Sequence, residues 1–339
     1  MNRICKLIVL SLWGTVANFV EAEPLHLLGI GNSFTEMMLY QLPFLLPDSG
    51  YGELDLAYLY RPGGNLDQYR QMLQNRGRDC SLFEFDPVEG RWNRIDSVRI
   101  DSVLSLKQWD VITVQQSSDL SGMYNTIKPN LAVLLDTVEY YQPSAQIAWH
   151  ATWSYSRNSQ HPGFANYEFS QSKMDYAIEQ TARNVMEDFA DRIDMVIASQ
   201  QLIKRLRLTA LNDSVDLTSD GFHLAPFSSE AVSDLVYEMF MAPRLGVPVT
   251  ENPREAIEDK SHSPEDYKLI KQMAYDVCHD PNIWEDQSDS IADNVIYKTE
   301  YYTLMGQRLE QPLYDSPIIL KTYSLSGKTE VERVILLAP

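Results

Sequence analysis

Short apolar or β-branched runs return along the chain at residues 25–30, 54–60, 111–114, 147–149 and 195–198. Each is too short for a helix, and most are apolar at successive positions, as strands covered on both faces of a parallel sheet are. Between them, residues 127–141, 167–189 and 228–241 bring an apolar side chain back every three or four positions, the spacing of one buried helical face. Strands and helices alternating in this order predict an α/β fold with a mainly parallel sheet and right-handed crossovers.

Two stretches break the rhythm. Residues 81–85 and 91–95 flank Asp86-Pro87-Val88-Glu89-Gly90 and read as a β-hairpin inserted before the third strand. After Pro243 the chain becomes loop-rich and charged. Residues 264–277 predict one more helix with Pro264 in its first turn, and from Asn294 onward runs at 318–320 and 334–336 predict a small C-terminal β appendage, with Gly306 and Gly327 in its turns. The organisation read from this is a leader at 1–22, a main domain at 23–245, a helical and loop extension at 246–293 and a small β module at 294–339.

With 339 residues, 44% of them hydrophobic, the chain can bury a large core and exceeds the usual size of one domain. Arg3 and Lys6 precede a largely apolar stretch from Leu7 to Val20, and Ala22 stands where a signal peptidase cuts. Gly14, Thr15 and Asn18 interrupt a stretch already shorter than the roughly 20 residues of a bilayer crossing. The expectation is an exported protein, periplasmic, cell-surface or extracellular, with no membrane span in the mature chain. A net charge of −19 repels phosphate backbones and argues against nucleic acid as a partner. Cys80 and Cys278, the cysteines beyond the leader, have neither a framework nor a zinc-site spacing. A disulfide between them is permitted, and two unpaired thiols are the favoured reading.

Candidate chemistry lies at the strand ends. Gly31-Asn32-Ser33-Phe34 follows the first strand, and Asp220-Gly221-Phe222-His223 stands on a polar loop far downstream. Reactive groups gather at the carboxyl edge of such sheets. Ser33 there precedes a helix beginning near Thr35, whose backbone N–H groups favour developing negative charge. Asp220, three residues before His223, can accept the Nδ1 proton and leave Nε2 free to take the proton of Ser33. Alone, the first motif is more often a helix N-cap and the second a surface turn. Together they supply a nucleophile, a base and a carboxylate to orient it.

The order of these motifs resembles the SGNH (GDSL-type) hydrolases, which carry Ser, Gly, Asn and His in four blocks on a flavodoxin-like sheet. The resemblance runs over roughly residues 25–242. It implies a flavodoxin-like three-layer sandwich and a serine esterase that cleaves carboxylic esters through an acyl-enzyme, with no metal or other cofactor. The usual Gly-Asp-Ser is here Gly31-Asn32-Ser33, which keeps the nucleophile. Gly63 and Gly64 both match the second-block glycine whose N–H serves the oxyanion hole beside that of Ser33. In place of the third-block Gly-x-Asn-Asp stands Val114-Gln115-Gln116-Ser117-Ser118-Asp119, and Gln116 takes the oxyanion role, because its amide offers the same N–H with one more methylene of reach. The segments around Trp92, Trp109 and Trp149 together resemble an exported bacterial branch of that superfamily.

Tyr60, Trp149, Trp153 and Phe222, with Tyr58 and Tyr155, fall at or just after strand ends, where aromatic faces border a pocket and receive a sugar ring. Exported members of the family often deacetylate polysaccharides, so a small-molecule or saccharide ester is the implied substrate. A non-catalytic glycan-binding protein on the same fold is the alternative, kept open by Asn32 and Gln116. A metal-dependent hydrolase would join His150 and His161 to Asp220 and His223, but no His-x-x-x-His or His-x-x-Glu-His spacing supports it. His161, before Pro162-Gly163, reads as a loop residue. The C-terminal stretch around Gly306, Ile318 and Gly327 resembles the short β-sandwich sorting modules of exported bacterial proteins, which implies contact with export machinery.

Overall fold

The computed structural model describes residues 24–47, 52–212, 216–257, 261–284, 296–303, 307–309, 311, 317–324 and 329–335. The leader expected at 1–22, and Gly306 and Gly327, lie outside them.

Five parallel strands carry the centre of the molecule: β1 Leu25–Gly31, β2 Leu54–Tyr60, β5 Val111–Val114, β6 Gln146–His150 and β7 Met195–Ile197. The hairpin strands β3 Cys80–Asp86 and β4 Arg91–Val98 add antiparallel to the β2 edge, giving the order β4-β3-β2-β1-β5-β6-β7. The hairpin therefore widens the main sheet. Its turn is closed by Asp86, whose Oδ1 accepts from the N–H groups of Val88 and Glu89.

The helices are α1 Ser33–Leu39, α2 Leu66–Asn75, α3 Ile100–Leu104, α4 Tyr124–Tyr141, α5 Gln171–Asp188, α6 Ser199–Leu206, α7 Pro226–Val236, α8 Ala242–Leu245 and α9 Pro264–His279. They cover both faces of the sheet, as expected. Helix α1 lies directly on β1, and Gly29 makes the approach possible. A Cβ there would stand 2.5 Å from Thr35 Cγ2 and 2.6 Å from Leu39 Cδ1. Helix α7 packs on α1, while α2 packs on α4 across the sheet, with Met72 meeting Cys80 from that side. The helix expected over 167–189 starts only at Gln171, because Glu168 and Phe169 both take the left-handed conformation after a 3-10 turn at Pro162–Tyr167.

Helix α9 opens with a reciprocal Ser263/Asp266 capping box and buries Tyr267, Ile270, Ala274 and Val277 against α7 and its neighbours. The segment set apart in the sequence as an extension thus packs into the same core. Strands β8 Ile296–Tyr302, β9 Arg308–Leu309, β10 Pro317–Ser324 and β11 Thr329–Ile335 form a second, antiparallel sheet in the order β11-β10-β8-β9, the small β appendage. Cys80 and Cys278 are both free thiols, and burial pushes that of Cys80 up to about 12. No described helix is long and apolar enough to cross a membrane.

Candidate active site

Ser33 is the first residue of α1, partly exposed above the carboxyl end of β1. Its approach is set by Asn32, which is 2% exposed and caps the helix. Asn32 Oδ1 accepts from the N–H of Phe34 at 3.0 Å and from Gln115 Nε2 at 2.8 Å, and its Nδ2 donates to the carbonyl of Gly64 at 3.0 Å. Gln115 Oε1 in turn accepts from Thr35 Oγ1 at 2.7 Å and from His150 Nδ1 at 2.9 Å. Every donor in this buried chain meets an acceptor, which fixes the turn that presents Ser33.

The partner of Ser33 arrives from the loop before α7. Asp220 Oδ1 accepts from the backbone N–H groups of Phe222 and His223 at 3.1 and 2.8 Å, folding the tetrapeptide on itself. Gly221, at φ +95°, donates to Thr218 Oγ1, and its carbonyl accepts from the N–H of Ser156. The loop's base is a buried pair, Arg207 Nε to Asp216 Oδ1 at 3.5 Å, beside two left-handed residues, Asp216 and Leu217.

This loop places His223 Nδ1 2.7 Å from Asp220 Oδ2 and His223 Nε2 2.9 Å from Ser33 Oγ. A carboxylate only accepts, so Nδ1 carries the proton and the Ser33 hydroxyl donates to Nε2. Burial works against ionisation of Asp220, but the His223 N–H, the His223 ring and the Phe222 N–H outweigh it and hold the carboxyl below its ordinary value. The His223 side chain remains 27% exposed, so the relay opens to solvent. An arrangement of this kind makes a serine hydroxyl nucleophilic.

The glycines are distinguished by a turn. Arg61-Pro62-Gly63-Gly64 closes through a bond from the Gly64 N–H to the Arg61 carbonyl at 2.9 Å, with Gly63 at φ +57°. The Gly64 N–H is thereby engaged, and Gly63 is left as the candidate donor. Gln116 is a correction. It is 1% exposed, its Oε1 accepts from the N–H groups of Leu66 and Ser117, and its Nε2 donates to Thr126 Oγ1 at 3.1 Å. It ties the start of α2 to the start of α4 from a buried position.

Four of the six aromatic positions are corrected as well, Tyr58 and Tyr155 being fully buried. Trp149 and Trp153 are 2% and 0% exposed. Trp153 stacks on Phe34 at 4.2 Å and donates from Nε1 to the carbonyl of Phe222 at 2.8 Å, so it braces the nucleophile turn against the histidine loop from behind. Tyr60 and Phe222 stay partly exposed. His150 stands apart from Asp220 and His223, with Nε2 on Ser199 Oγ at 3.0 Å, and complete burial lowers its pKa to about 3. Among the described residues no group of three or more His, Cys, Asp and Glu side chains stands together as metal ligands would.

Sequence reasoning missed two neighbours of the site and read a third, His161, as a loop residue. His161 packs on Phe222 at 4.7 Å, which packs on His223 at 4.1 Å. Burial lowers the pKa of His161, and the charges of Asp119, His223 and Asp220 act on it through space. Glu36 and Arg94 are the others, and His223 and Arg94 both act on the Glu36 carboxyl. The spacing of Glu36, three residues after Ser33 on one helix, was the signal available for it.

The sequence model of DUF4886, described as a domain of unknown function, matches residues 26–276. A comparison with curated proteins gives no match. Among solved structures, a DUF4886 family protein from Bacteroides uniformis superposes with a TM-score of 0.66 at 24% identity, covering 76% of this chain and 96% of that one. It shares the α/β fold. A putative GDSL-like lipase from Parabacteroides merdae gives a TM-score of 0.44 at 13% identity over 64% of this chain and 95% of that one. An acetylxylan esterase from Geobacillus stearothermophilus gives 0.36 at 13% identity over 69% of this chain and 96% of that one.

Proposed function

The chain belongs to the DUF4886 family, and we propose that it is a serine esterase that hydrolyses carboxylic esters through an acyl-enzyme, with a saccharide ester as substrate. The observation that carries this is the unbroken chain Asp220–His223–Ser33, with contacts of 2.7 and 2.9 Å and with Ser33 partly exposed. His223 Nε2 takes the proton as Ser33 Oγ bonds to the ester carbonyl carbon, and Asp220 stabilises the imidazolium. The N–H groups of Ser33 and Gly63 face the oxyanion. Ser33 lies in the first helical turn, where backbone N–H groups have no intrahelical partner. His223 then protonates the departing alkoxide as its C–O bond breaks. In the second half His223 removes a proton from water, the hydroxide attacks the acyl carbon, and Ser33 regains its proton as the carboxylic acid leaves.

The partly exposed rings of Tyr60 and Phe222 support the saccharide assignment. So does the leader expected at 1–22, which would place the enzyme where polysaccharides lie. Hydrolysis of p-nitrophenyl acetate tests the reading. Ser33→Ala and His223→Ala are expected to lower kcat by about a thousand-fold or more, and Asp220→Asn by about a hundred- to ten-thousand-fold. Variants that keep activity within about tenfold of wild type contradict it.

A further inference from the structure

Past β2 the sheet continues into the β3–β4 hairpin, and the face on the α1 side carries groups that the proton relay does not use. Register sets Gly29, Tyr58, Phe83 and Arg94 side by side across β1 to β4, and Tyr60 and Ser81 pair on the same face two residues along. Gly29 faces α1, so the whole row does. The Tyr58 ring stacks on Phe83 at 4.8 Å, Tyr60 meets Phe83 edge-on at 5.7 Å, and the Arg94 guanidinium lies 5.5 Å from the Phe83 centroid. Arg94 is held in place by Asp96 at 2.7 Å and Ser81 Oγ at 3.3 Å.

Glu36 joins this row to the reacting serine. It sits one helical turn beyond Ser33 on α1 and accepts from the Tyr58 hydroxyl at 3.2 Å. Burial raises its pKa most, against the Tyr58 bond and the charges of His223 and Arg94. The Tyr60 phenol is raised by burial first and by Glu36 second.

We infer that Glu36, Tyr60, Phe83 and Arg94 form an open shelf that holds the alcohol part of the ester, a neutral saccharide, beside Ser33. Aromatic faces receive the C–H faces of a sugar ring, while a carboxyl, a phenol and a guanidinium match its hydroxyls as donors and acceptors. The Arg94 side chain is 57% exposed, and Tyr60 and Phe83 are partly so, which suits a chain of sugars lying across the surface. A net charge of −19 disfavours a polyanionic glycan in the same place.

The inference rests on the esterase reading for the position of the scissile bond, and the test separates the two. The quantity measured is the ratio of kcat/KM for acetylated xylooligosaccharides or acetylated cellooligosaccharides, whichever reacts faster, to kcat/KM for p-nitrophenyl acetate. Because the fraction of folded enzyme cancels in it, the ratio isolates recognition of the sugar. It is expected to fall at least about fivefold in Arg94→Ala and in Glu36→Gln. A smaller fall in both, or no turnover of either saccharide by an enzyme that cleaves p-nitrophenyl acetate, overturns the shelf and leaves the esterase standing. Should wild type cleave no ester, the esterase reading fails, and titration of xylohexaose and cellohexaose onto the wild-type protein decides the shelf alone. Binding weakened at least about fivefold by Arg94→Ala supports it, and absent or unaltered binding overturns it.

Discussion

Asn32 explains why this chain has Gly-Asn-Ser at the nucleophile turn. Its position needs an acceptor toward Phe34 and Gln115 and a donor toward the Gly64 carbonyl, and an amide provides both where the carboxylate of aspartate at neutral pH only accepts. Asn32→Asp brings a carboxylate oxygen against that carbonyl in a buried site. It is expected to lower the unfolding free energy at pH 7.5 by about 1–3 kcal/mol in urea titrations and to reduce ester turnover with it. Unchanged stability would show that the contact contributes nothing. Ser33, Asp220 and His223 were legible because local rules place them: a strand end, a helix start and an i, i+3 turn. The glutamines were not. Gln115 and Gln116 are adjacent, and their roles are set by Asn32, Thr35, His150, Leu66 and Thr126, partners brought together only by the fold. Trp153 was misread for a related reason, since being near a strand end says nothing of which way a ring turns, and this one turns inward onto Phe34.

Strands β2 and β5 begin and end where the apolar runs do, because strands covered on both faces are apolar at most positions, so the run stops where the cover does. What the runs could not show is what the elements pack against. The apolar stripe of α9 reads as a peripheral helix until α7 is seen beneath it. That contact buries Glu230, whose carboxyl is pushed up to about 7 by burial, against the N–H groups of Ala256 and Ile257 and the charge of Lys271. Asp234, with neither carboxylate oxygen partnered, is raised well above its ordinary value by burial and by Glu230. A folded-state pKa raised above 4.5 means that the native protein holds a proton the unfolded chain has released, so stability falls as pH rises from about 4.5 to about 7. Glu230→Gln removes that dependence. Its unfolding free energy relative to wild type should increase across this window, by about 2–3 kcal/mol between pH 4.5 and 7.5. A difference that does not vary with pH would show that Glu230 is ionised in the native state at low pH.

Every residue of the proposed relay and oxyanion site lies between Ser33 and His223, within the part of the chain matched by the family. The second sheet supplies none of them. Ending the chain after Asp293 is therefore expected to leave kcat/KM on p-nitrophenyl acetate within about twofold, and a loss beyond about tenfold would bring residues 296–335 into the site. The broad architecture was legible in the alternation of strands and helices, whereas the widening of the sheet by the hairpin was not, because antiparallel addition at an edge leaves no trace in periodicity. The central claim is that Ser33 is a nucleophile activated by His223, and covalent capture tests it most directly. Incubation with a fluorophosphonate followed by peptide mass spectrometry should find one adduct, on Ser33, that His223→Ala slows by at least about a hundred-fold. No adduct on Ser33, or labelling unaffected by His223→Ala, would contradict it.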